Sequence, residues 1–154
     1  VLLASTVAVA DGQADHDSKE ISNYVLTEAT LAKYTQAVKN LGKLGRNMPG
    51  ACDDSDEAKS LNDIAARMDA TPEVKAAMRS AGLSSHEYLV FSMSLLQNGL
   101  AAWALEQPGG KLAPGVQMAN VNFYRAHDAD FKKLGEETKS GDCGEDDRAN
   151  EPEE

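Results

Sequence analysis

The sequence predicts an all-α fold: a single-domain bundle of about five helices around a central apolar helix, with a flexible N-terminal segment and an acidic C-terminal tail. Three observations predict it. Apolar residues recur at three- and four-residue spacing in successive segments, which places them on one face of a helix. Capping residues precede these segments, in places with Glu three positions later, as a helix start requires. Strict apolar–polar alternation, the mark of a half-buried strand, is scarce. A length of 154 residues suits one domain.

The chain opens "VLLASTVAVA". This run is too short to cross a bilayer as a helix, which takes about 20 apolar residues. It ends at Ala8-Val9-Ala10, the small-residue pattern of an export cleavage site. Residues 1–10 read as a truncated signal peptide, and no Cys stands at the site to take a lipid anchor. Residues 11–26 are polar and expected to be flexible. Residues 27–135 form the helical bundle domain, and 136–154 an acidic disordered tail.

The first helix is expected after Thr27, with Leu31, Tyr34, Val38 and Leu41 on its apolar stripe. Asn47-Met48-Pro49-Gly50 is a loop by composition. The second helix starts near Asp54 or Ser55, where Asp54 and Glu57 have capping-box spacing, and buries Leu61, Ile64, Ala65 and Met68. Thr71 caps a short third helix, Pro72 occupies its first position and Gly82 its left-handed exit. Val74, Ala77, Met78 and Ala81 face inward.

The fourth helix is the best marked. Ser84 and Glu87 make a capping box, and Leu83 can staple onto Tyr88. From Tyr88 to Leu105 apolar residues lie on nearly every side, as in a core helix or a membrane span. Ser92, Ser94, Gln97 and Asn98 make a span costly, so the core reading is preferred. "QPGGKLAPGV" is a loop, and a last helix from near Asn120 carries Val121, Tyr124, Phe131 and Leu134.

Charge narrows the partners. The formal net charge is −10, yet nine acids and two bases lie from Glu136 onward, so the tail holds most of it. Without a basic patch, neither nucleic acid nor anionic lipid is an expected partner. Cys52 and Cys143 are a candidate disulfide in an oxidising compartment, or two separate thiols.

The chemistry-bearing residues are few. His16 lies between Asp15 and Asp17, either a weak chelating cluster or a solvated terminus. His86-Glu87 lacks the second His of a zinc H-E-x-x-H motif and reads as a helix start. His127 and Asp130 share a helix face as a His–carboxylate pair, fit for acid/base work or for a solvated surface. The Gln97-Asn98-Gly99 triplet sits inside the apolar helix. With Phe91, Met93 and Trp103 as walls, Gln97 and Asn98 are pocket candidates for a small apolar ligand; alternatively they bond loop backbone and fix a helix crossing. Gly99 with Ala102 permits close approach of another helix. No residue is assigned catalysis, and neither a metal ligand set nor a cofactor is expected.

The stretches "LTEATLAKYTQAVKNL", "SAGLSSHEYLVFSMSLLQNGLAAWAL" and "PGVQMANVNFYRAHDADFKKL" together resemble small exported bacterial helical proteins of uncharacterised function. The resemblance spans most of residues 26–134 and implies export and an all-helical fold, with no catalytic residues to carry over. Leu26-Thr27 at a helix start also bears a likeness to envelope stress chaperones of the Spy type. The functional expectation is a non-enzymatic protein, periplasmic or secreted, that binds an envelope protein or a small apolar ligand. The alternatives are cation binding by the acidic termini, Spy-like chaperoning and, least favoured, an enzyme built on His127 and Asp130.

Overall fold

The computed structural model describes residues 8–45 and 60–138, with side chains from Gly12 onward up to residue 137. Their regular structure is wholly helical: α1 (Ala8–Asn23), α2 (Glu28–Gly42), α3 (Leu61–Ala70), α4 (Pro72–Ser80), α5 (Ser85–Glu106), α6 (Met118–Ala126) and α7 (Asp128–Thr138). Residues 1–7, Cys52, Cys143 and the chain beyond Thr138 lie outside the described residues, and so does the Asp54–Glu57 capping box.

Local chemistry sets most boundaries. Thr27 accepts from the Thr30 amide while the Thr30 hydroxyl accepts from the Thr27 amide, each at 3.2 Å, a reciprocal cap. Ser60 caps α3 through the Asp63 amide, and Ser84 caps α5 through the Glu87 amide. Thr71 stands between α3 and α4, but its side chain makes no capping bond. Pro72 opens α4 as expected. At the far end Gly82 has φ +78°, a region that favours glycine. The Leu83 amide reaches back to the Met78 carbonyl and the Gly82 amide to that of Arg79, which completes a Schellman stop.

α5 is the central element and packs against α1, α2, α3, α4 and α6. Phe91 and Leu95 meet Leu26 and Leu31, while Leu89 and Val90 meet Leu61 and Ala65. Ala101 and Ala102 receive Val121 from α6. A Cβ on Gly99 would come within 2.9 Å of Tyr124 Cζ, so the glycine lets the Tyr124 ring lie against α5. α5 is also long and apolar enough to cross a membrane by length and composition. Against its five neighbouring helices, 44% of that apolar stretch is buried.

Three expectations are corrected. Residues 11–26, expected as a flexible polar segment without a helix, fall largely within α1. It carries no long apolar stripe; Ile21 packs against the Leu61, Ala65, Leu89 and Val90 cluster, and long-range polar contacts add to this. Ser94 Oγ donates to the Ile21 carbonyl at 2.9 Å, and Gln117 Nε2 to the Ser22 carbonyl at 2.8 Å. Asp17 in turn accepts the first α3 amide, that of Leu61, at 2.8 Å. Second, the single last helix is two helices, broken at His127, whose amide lies between the Phe123 and Tyr124 carbonyls at 3.2 and 3.1 Å. Third, α7 continues past Gly135 to Thr138, because Glu136 and Glu137 are good helix formers. The described residues thus hold seven helices.

Candidate functional site

The five pocket candidates point in different directions from α5. Phe91 is 0% exposed, with its ring centroid 4.6 Å from Tyr34 and 6.0 Å from Tyr24. Asn98 is buried and donates from Nδ2 to the Ser94 carbonyl one turn back at 2.7 Å. Gln97 donates to Ser22 Oγ at 3.3 Å and helps hold α1. Met93 and Trp103 lie on the solvent side. Phe91 and Asn98 thus lie on the buried side of α5 and Met93 and Trp103 on the open side, while Gln97 reaches α1 and Asn98 bonds within its own helix. An open depression of about 450 Å³ lies elsewhere, lined by Gln36, Val38, Lys39, Gly42, Lys43 and Glu137.

The solvent side of α5 carries a feature that the sequence hid. Met93, Leu96, Leu100 and Trp103 are all exposed, the last three by 57%, 60% and 62%. They follow one another at intervals of three, four and three residues. That spacing places them in one line along the helix, as in the a/d seam of a coiled coil. No charged residue occurs between Tyr88 and Leu105. The flanks of the seam are Ser92, Gln97, Gly99 and Ala104, all neutral.

The His127–Asp130 pair forms as expected, with a third member. His127 Nδ1 lies 3.0 Å from Asp130 Oδ2, and Nε2 lies 2.7 Å from Glu28 Oε1 on α2. Two acceptor carboxylates call for a proton on each ring nitrogen. The Asp130 hydrogen bond raises the His127 pKa above its ordinary value; burial opposes this, and Glu28 adds to the rise. An imidazolium donating from both nitrogens has no lone pair with which to act as a base. The group is a clasp between the start of α2 and the α6–α7 junction.

That clasp gives a pH prediction. Because the folded pKa is raised, the stabilisation is complete below about 6.5, the unfolded value, and fades as pH rises through the folded pKa. Water screens both exposed carboxylates, so the effect is at most about 1 kcal/mol. Paired urea titrations of the native chain and His127→Gln should show a stability gap at pH 6 that closes by pH 9. A gap independent of pH would refute the doubly bonded imidazolium.

A second His–carboxylate cluster joins α1 to the start of α5. Asp17 is buried and accepts from the Leu61 amide and from Gln13 Nε2, at 2.8 and 2.9 Å. Burial pushes its pKa upward. The Leu61 and Gln13 bonds and neighbouring His16 outweigh that and hold it below the usual carboxylate value. His16 Nδ1 lies 3.7 Å from Asp17 Oδ1. One turn on, Glu20 Oε1 meets His86 Nε2 at 2.8 Å. The sequence placed His16 beside Asp17 but gave no sign of Glu20 or His86 as neighbours, since His86 lies 66 residues from Glu20. No family model matches this chain, and no curated protein or solved structure matches it either.

Proposed function

We propose that the protein is a non-enzymatic interaction protein that associates through the α5 seam, and that the surface it binds is the same seam on a second copy. The observation that carries this reading is the line of four large exposed apolar side chains, Met93, Leu96, Leu100 and Trp103, on a helix whose other sides form the core. A line of large exposed apolar side chains along one helix is the kind of surface that serves as an interaction site. Heptad spacing favours a helical partner. The absence of charge along the seam lets two acidic chains meet there without like charges facing each other. A two-fold contact uses one patch on both copies, so no second surface is needed.

A standard interface buries about 800 Å² per partner, and a seam of three turns supplies the apolar centre of one. The expected association is weak. The apolar run ending at Ala8-Val9-Ala10 supports an exported setting for it. His127, bonded on both sides, does not favour an enzyme.

Sedimentation velocity over rising concentration tests the proposal. The native chain should show a dimer that grows with concentration. Leu100→Glu should abolish it while changing stability by no more than about 0.5 kcal/mol, since the residue is exposed. A chain that remains monomeric up to about 1 mM, or a dimer indifferent to Leu100→Glu, would defeat the reading.

A further inference from the structure

We propose that His16, Asp17 and Glu20 of α1 form a binding site for a divalent first-row transition cation such as zinc, with His86 of α5 orienting the Glu20 carboxylate. The site is independent of the α5 seam and of the acidic tail.

Helix geometry brings the ligands together. His16 and Glu20 are one turn apart, and Asp17 lies three residues before Glu20, so all three reach one edge of α1. One ligand atom from each lies within 4.8 Å of those of the other two. Binding one ion would draw these atoms inward from that spacing. An imidazole with two carboxylates suits zinc or a neighbouring metal better than calcium, which takes six to eight oxygens. Three protein ligands also leave one tetrahedral position open for water.

Two further features separate this cluster from a chance meeting of surface acids. Glu20 Oε2 is buried and takes no hydrogen bond among the described residues. The Glu20 side chain is 33% exposed, so an ion can reach this shielded, unpaired oxygen, and a cation is a partner that suits it. Its other oxygen, Oε1, is held by His86 Nε2, the kind of support that fixes a ligating carboxylate. Asp17 is likewise held by the Leu61 amide, so two of the three ligands are braced by other helices before any ion arrives. His16 is exposed and acts as the closing arm.

Titration calorimetry of the full chain with zinc chloride is the test. One site should appear, and His16→Ala, at an exposed position, should weaken it at least tenfold without lowering the melting temperature of the metal-free protein. Glu20→Gln should weaken it similarly, and cobalt(II) should give the visible absorption of a four-coordinate ion in the native chain only. Zinc should also raise the native melting temperature, since it binds the folded state. No zinc uptake would overturn the proposal. Uptake unchanged in both variants would overturn it too, by assigning the binding to the acidic tail.

Discussion

Phe91→Ala should lower the unfolding free energy by about 4 kcal/mol, a large share of the 5–15 kcal/mol that holds a domain together. Phe91 has no exposed surface and touches Leu26, Leu31 and Leu95. Its ring also meets those of Tyr34 and Tyr24, so truncation empties the place where α2, α5 and the α1–α2 link converge. Collapse around the hole is limited. Tyr34 stacks on Tyr88 at 5.1 Å and its hydroxyl accepts from Ser92 Oγ, so that ring is held from two sides. The control is Trp103→Ala, which removes a larger ring from the solvent face and should cost under about 0.5 kcal/mol. Urea unfolding of the two variants separates the core role of Phe91 from the pocket role that its sequence neighbourhood suggests. Equal costs would mean that Phe91 packs no more tightly than a surface residue.

The contrast between Phe91 and Trp103 shows why part of the molecule was legible and part was not. Amphipathic helices disclose their faces: Val74, Ala77 and Met78 on α4 were assigned inward from spacing, and they are buried. α5 discloses none, because apolar residues surround it. Its seam of Met93, Leu96, Leu100 and Trp103 looks like core until the neighbouring helices are in place. α1 was missed for the opposite reason. It is polar, and its partners Ser94 and Gln117 lie 73 and 95 residues away in the chain. The His127–Asp130 contact was readable because it spans three residues on one side of a chain turn. Glu28, 99 residues from His127, was not. The break at His127 has no Gly or Pro to announce it.

Asn120→Ala should cost about 3 kcal/mol and release α1 before the rest of the bundle. Asn120 is 3% exposed, at the start of α6. Its Oδ1 accepts from the Leu26 amide at 3.0 Å and its Nδ2 donates to the Tyr24 carbonyl at 2.7 Å. One side chain thereby satisfies a donor and an acceptor in the link between α1 and α2, where no helix supplies partners. Alanine leaves both groups buried and unpaired, at about 1–3 kcal/mol each, with some relief where water enters. Asparagine is suited to the task because it offers one donor end and one acceptor end. Asn120→Asp separates those two functions. An ionised aspartate still accepts from Leu26 but turns an oxygen toward the Tyr24 carbonyl, so near pH 7 it should be no better than alanine. The repulsion and the burial raise its folded pKa, so its relative stability should recover as pH falls and the carboxyl, once protonated, donates to Tyr24. Hydrogen exchange locates the damage: in Asn120→Ala the amides of α1 should lose protection while those of α5 keep theirs. If α1 stays as protected as in the native chain, then Ser94, Gln97 and Gln117 suffice to dock it, and the Asn120 clip is not what orders this polar helix.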